Sequence, residues 1–162
     1  MNRHARVLIG GVGHRWQRDA SFGLVISDRL ARMDWPDGVE VADLGYGALY
    51  AAQDIGDAEP PYERLVLLAA MPRGRNPGQI YRYRYTCERR SSDEIQARVR
   101  EAGAGVVDLD HLLVIAGHLQ VLPPEVVVIE FEPVDVTPGI DLSAEGAACV
   151  DEAVRLAREA VQ

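Results

Sequence analysis

The run Leu65–Ala70 (LVLLAA) constrains this chain most, because it is apolar at odd and even positions alike. Side chains alternate across a strand, so such a run has both faces hidden and its sheet must carry helices on both sides. Arg6–Gly11 (RVLIGG) and Glu125–Glu132 (EVVVIEFE) read as further buried strands, and Val39–Leu44, after the turn Pro36-Asp37-Gly38, as another. Helical periods fall between them. Ser21–Met33 places Phe22, Val25, Ile26 and Leu30 on one stripe, with Ser21 as N-cap. Gly47–Gln53 reads as a short helix, and Asp93–Glu101 and Asp108–Leu119 as longer ones, the last stopped by Pro123-Pro124. Ser143–Val161 reads as one amphipathic helix with Ala147, Val150, Val154 and Leu156 among its apolar positions. Strands alternating with helices imply an α/β fold around a mostly parallel twisted sheet.

One segment breaks this pattern. Gln79–Cys87 alternates strictly, with Tyr81, Tyr83 and Tyr85 on one face and Arg82 and Arg84 on the other, as a half-exposed edge strand does. The simplest reading is that tyrosines pack while arginines keep the edge soluble. Aromatics interleaved with arginine also suit a protein interface or stacked nucleic-acid bases. The net charge of −8 opposes nucleic-acid binding, which needs a basic field. The chain contains no lysine, so every side-chain cation other than histidine is a guanidinium.

The length of 162 residues suits one domain with its own core, without repeat or linker. No apolar run approaches the ~20 residues of a membrane helix. The short polar stretch Met1–Arg6 is unlike a secretory signal, so a cytoplasmic protein is expected. Cys87 and Cys149 belong to no CxxC pair and read as ordinary thiols. Gly11-x-Gly13 has Trp16 where a dinucleotide fingerprint needs its third glycine. Walker loop, Gly-x-Ser-x-Gly elbow and His-Glu-x-x-His are all lacking. Glu130 and Glu132 share a strand face and are read as a solvated strand end rather than a paired-carboxylate hydrolase.

Four signals occur in a telling order. Val7-Leu8-Ile9-Gly10-Gly11-Val12-Gly13 leads through a polar loop to Phe22-Gly23-Leu24-Val25, and Val39–Gly45 ends in Asp43-Leu44-Gly45. The central strand is followed by Asn76-Pro77-Gly78. Leu122-Pro123-Pro124-Glu125-Val126 then runs on to Glu132-Pro133, Thr137-Pro138-Gly139 and Leu142-Ser143. Together they resemble the landmarks of the [NiFe]-hydrogenase maturation endopeptidases over nearly the whole chain. The resemblance implies a three-layer α/β/α sandwich around a five-stranded sheet. It also implies cleavage of a C-terminal extension from the hydrogenase large subunit, whose nickel is recognised by two acids and a histidine.

Carried onto this sequence, those three positions are Ala20, Ala69 and Gly105, none with a coordinating side chain. The expectation is therefore a non-catalytic member with no cofactor, binding a hydrogenase-type large subunit or its C-terminal tail as an assembly or scaffolding factor. Its contact surface would be a cleft with Asp43 and Gly45, flanked by Arg73, Arg75, Arg82 and Arg84 holding a partner carboxylate bidentately. Two alternatives stay open. Asp19, His14 and His111 are candidates for a relocated site in an active endopeptidase that recognises the partner's nickel, or the chain is a stable structural subunit of a larger complex. Membranes and nucleic acids are not expected partners, and the oligomeric state is open.

Overall fold

The computed structural model describes residues 4–162. β1 (Val7–Gly11) lies between β2 (Val39–Asp43) and β3 (Arg64–Ala70). β5 (Glu125–Phe131) lies between β3 and β4 (Ile80–Arg84), giving the order β2-β1-β3-β5-β4. All pairings are parallel except that of β4 with β5. The expected α/β/α sandwich around a five-stranded, mostly parallel sheet is thus what the chain forms, with the Tyr/Arg strand at an edge.

The doubly apolar strands supply both faces. Leu8, Leu65, Leu67, Ala69, Val126 and Val128 meet the layer of α2 (Ala48–Gly56), α3 (Ser92–Gly103) and α4 (Leu109–His118). Val7, Ile9, Val66, Leu68, Ile129 and Phe131 meet α1 (Phe22–Leu30) and α6 (Val150–Ala160). Phe22 stacks on Phe131 with ring centroids 4.6 Å apart. The α1–β3 approach depends on Gly23, where a Cβ would stand 2.0 Å from the Leu68 carbonyl oxygen. No helix among the described residues is long and apolar enough to cross a membrane.

Helix ends depart from the sequence reading for local reasons. Ser21 holds the N-cap position of α1, but its side chain makes no capping bond; its Oγ donates to the Arg18 carbonyl (2.7 Å) within a 3₁₀ turn, Arg18–Ser21. α1 stops at Leu30, whose carbonyl accepts the Trp35 indole N–H (2.8 Å). The expected single terminal helix is two, α5 (Ala144–Ala148) and α6, parted at Cys149, whose N–H bonds the Gly146 carbonyl (3.1 Å). Ser143 caps α5 and is itself held by Asp19, which fixes where this segment starts. Both cysteines are free thiols.

Candidate functional site

Four parallel strands end on one side of the sheet. The chain leaves β1 for α1 on one face, whereas β2 leads to α2 on the other. Such divergence opens a crevice beyond the carboxyl ends of the strands, the usual ligand position in open α/β sheets. A hollow of about 520 Å³ lies there, lined by Gly13, His14, Arg15, Trp16, Leu24, Asp43, Gly45 and Tyr46. Asp43 Oδ1 accepts the Gly45 N–H (2.7 Å) and Oδ2 accepts Arg15 (2.6 Å). Arg15 also bonds both oxygens of Asp28, and this pairing holds the Asp28 carboxyl below its ordinary range. Asp43 and Gly45 thus shape the rim, with the Asp43 carboxylate tied to its neighbours. The His14 ring makes no hydrogen bond among the described residues.

Asp19 is placed quite differently. It is fully buried and faces the C-terminal segment. Its Oδ2 accepts the Val134 N–H (2.9 Å), the Asp135 N–H (3.0 Å) and the Ser143 hydroxyl (2.8 Å), and Oδ1 accepts the Ser143 N–H (2.8 Å). These partners lie 115 to 124 residues along the chain. A carboxylate so surrounded fastens the segment after β5 to the turn after β1. The adjacent Ala20 is half-buried, and its carbonyl accepts the His14 N–H (3.0 Å).

At the end of β3, Ala69 stands in register with Glu130 of β5. Glu130 and Glu132 are buried, which overturns the reading of a solvated strand end. Arginines from the loop after β3 neutralise them. Arg73 Nε and Nη2 bond Glu130 (2.6 and 3.0 Å), while its other contacts reach Asp110 on α4 (2.8 and 3.2 Å). Arg75 bonds Glu130 (2.5 Å) and Glu132 (2.8 Å), and lies over the Tyr81 ring, 4.1 Å from its centroid. The Tyr83 hydroxyl donates to Glu130 (2.9 Å). Burial pushes that hydroxyl's pKa well up, and the Glu130 charge adds to the effect. Burial alone would raise the Glu132 carboxyl, but Arg75 and the Arg73 and Arg75 backbone N–H groups outweigh it and hold it below its ordinary value. Arg73 and Arg75, expected to clasp a partner carboxylate, therefore already clasp carboxylates of this chain.

Gly105 lies in the exposed turn after α3 with φ +101°, a conformation that suits glycine. His111 is in the first turn of α4 and buried, between Asp108 Oδ1 (2.6 Å, Nδ1) and Glu101 Oε2 (2.5 Å, Nε2). His14, Asp19 and His111 thus occupy three separate environments. Methyl, methyl and hydrogen at positions 20, 69 and 105 have no electron pair to give a metal, and the acids at Asp19 and Glu130 are fully engaged. Among the described residues no group of three or more His, Cys, Asp or Glu side chains is disposed to hold a metal ion. Ala20, Ala69 and Gly105, the positions to which the resemblance assigns nickel recognition, carry no coordinating side chain. Arg82 and Arg84 line β4, which runs antiparallel to β5 and so leads away from the hollow; Arg82 pairs loosely with Glu159 (3.5 Å).

The Asp19 clamp and the Arg/Glu cluster escaped the sequence reading. The available signals were Glu130-x-Glu132 on an otherwise apolar strand and Arg73-x-Arg75 after the preceding strand. The loop end also exposes apolar side chains: Trp16 (69%), Val136 (47%), Ile140 (70%) and Tyr46 (51%). Trp16 and Ile140 are brought near by the bridge of Gln17 with Gly139 and by the Gly139 N–H bond to the Trp16 carbonyl (2.9 Å).

This sheet order, its helical layers and its loop-end crevice define a doubly wound α/β/α domain. The crystal structure of a hydrogenase 2 maturation peptidase from a Thaumarchaeota archaeon is 30% identical, covering 96% of this chain and 97% of that one at a TM-score of 0.69. Hydrogenase maturating endopeptidase HybD from E. coli is 21% identical over 96% of this chain and 91% of its own, at a TM-score of 0.72. The [NiFe] hydrogenase maturation protease HybD from Thermococcus kodakarensis is 21% identical over 97% and 99%, at 0.66. At 21% these two speak for the fold alone. No protein-family model and no curated protein matches the chain. On the first of these similarities, the chain belongs to the family of hydrogenase maturation peptidases.

Proposed function

We propose that this chain is a non-catalytic family member that binds a [NiFe]-hydrogenase-type large subunit, or its C-terminal tail, as an assembly or scaffolding factor. The observation that carries the reading is the state of the acids beside Ala20 and Ala69. Asp19 is buried under four named donors and Glu130 under two guanidinium groups, so neither is available to the partner's nickel. Binding needs no such acid. Trp16, Tyr46, Val136 and Ile140 give the loop end an apolar surface of the kind protein partners cover.

The test is co-expression of the full chain with a hydrogenase-type large-subunit precursor, followed by co-purification and intact-mass measurement. Co-purification of a precursor of unchanged mass, lost with Ile140→Asp, is the expected result. A shortened large subunit formed by the purified pair would overturn it and restore the relocated-ligand endopeptidase. A complex that survives high salt at fixed stoichiometry would instead favour a permanent structural subunit.

A further inference from the structure

Among the described residues the sheet ends at β4, and its outer edge is open. Gln79 O accepts the Glu132 N–H (3.0 Å) and Tyr85 N–H donates to Val126 O (2.8 Å), bracketing the register in which Ile80, Arg82 and Arg84 face Phe131, Ile129 and Val127. Antiparallel bonding alternates along a strand. The odd-numbered residues therefore bond inward to β5, and the N–H and C=O groups of Ile80, Arg82 and Arg84 point out of the sheet.

That edge is chemically lopsided. On one face Tyr81, Tyr83 and Tyr85 are half-buried, with Tyr83 and Tyr85 packed on the core. On the other, Arg82 and Arg84 are exposed, and Arg89 follows beyond the strand. The Arg84 and Arg89 side chains have no hydrogen-bond or ion-pair partner among the described residues. They form a cationic border on a chain of net charge −8. A second copy pairing antiparallel about Arg82 would set guanidinium against guanidinium, which destabilises a cross-strand pair.

We propose that the outer edge of β4 is a docking edge for an acidic, extended polypeptide segment, which adds as a sixth strand. Backbone hydrogen bonds to Ile80, Arg82 and Arg84 hold it, and its carboxylates select it by pairing with Arg82 and Arg84. This edge leads away from the loop-end hollow, and the inference stands or falls separately from the function proposed above.

The test uses the full chain and a fluorescein-labelled, end-capped heptapeptide alternating valine and glutamate, followed by anisotropy at low salt. Saturable binding is expected, weakened at least tenfold by Arg84→Glu and by replacing the peptide's glutamates with glutamines. Two N-methylated peptides, one blocked at every glutamate N–H and one at every valine N–H, separate strand addition from charge attraction alone. Loss with one set only supports the proposal, the glutamate set marking an antiparallel strand. Equal binding of both methylated peptides, loss of both, or no binding of the parent peptide overturns it. Arg82→Pro removes an outward N–H together with the Arg82 guanidinium without touching the β5 ladder, and it should weaken binding more than Arg82→Gln does while circular dichroism stays unchanged. Sedimentation showing a dimer that Arg82→Pro dissolves would assign the edge to self-pairing and overturn the acidic-segment proposal.

Discussion

Replacing Asp19 by alanine removes the acceptor on which the Val134, Asp135 and Ser143 N–H groups and the Ser143 hydroxyl converge. A hydrogen bond to a charged group contributes about 1.5–3 kcal/mol net, and a stranded buried donor costs about 1–3 kcal/mol. The Val134 side chain is exposed, so water can reach part of this segment after the change, and the contributions do not simply add. A loss of about 3–5 kcal/mol is the expected sum, within the range for breaking a buried polar network. At about 2–4 °C per kcal/mol for a domain of this size, the melting temperature should fall by roughly 6–20 °C. Asp19→Asn should cost less, about 1–3 kcal/mol, because one oxygen still serves the Oδ2 donors while the amide nitrogen opposes only the Ser143 N–H. Thermal unfolding of the full-length variants at neutral pH, followed by circular dichroism, measures both. An Asp19→Ala chain melting within about 2 °C of the parent would refute the clamp. A carboxylate standing free in a cleft, as the relocated site requires, would behave in that way.

Glu130→Gln leaves Arg73 and Arg75 without the charge they share, and urea unfolding should show a loss of about 2–3 kcal/mol, discounted for their partial exposure, with an unchanged m-value. Gly23→Ala forces a Cβ to 2.0 Å from the Leu68 carbonyl oxygen, so α1 must lift from β3; a loss of about 3 kcal/mol or more is expected in the same assay. The Glu132 carboxyl has its folded pKa lowered from the ordinary 4.5, so its contribution is complete above that value and is lost as pH falls through the lower folded value. Asp28 acts in the same sense, and urea midpoints should hold between pH 7 and about 5 and then decline in more acidic buffer.

The fold was readable because its strands advertise burial. Leu65–Ala70 is apolar on both faces, and the alternation of Tyr81 to Tyr85 with Arg82 and Arg84 marks a strand with one wet face and an open side. The polar interior was not readable in the same way. Glu130 and Glu132 look solvent-bound by residue type, and the arginines that make their burial affordable come from 55 to 59 residues earlier. Asp19 likewise resembles a helix-entry acid until the segment at Val134–Ser143 folds back over it. Periodicity reports which face is dry; it says nothing about which distant donor meets which acceptor. The break at Cys149 was hidden for a related reason, since α5 is placed by Ser143 and Asp19 rather than by its own apolar stripe.

The strand order also governs how the chain can assemble as it is made. β5 lies between β3 and β4 but is synthesised after both. Until Glu125–Phe131 emerges, β4 has no native neighbour and β3 keeps one edge of unpaired N–H and C=O groups bare. A nascent chain, lengthening by about 5–20 residues per second, must hold that slot open rather than let β3 and β4 close on each other. Insertion of β5 fills the slot, and only then can Asp19 receive the donors that lie beyond it. A ribosome stalled before Glu125 therefore presents an unfinished, sticky sheet, which makes the C-terminal quarter of the chain the step that commits it to folding.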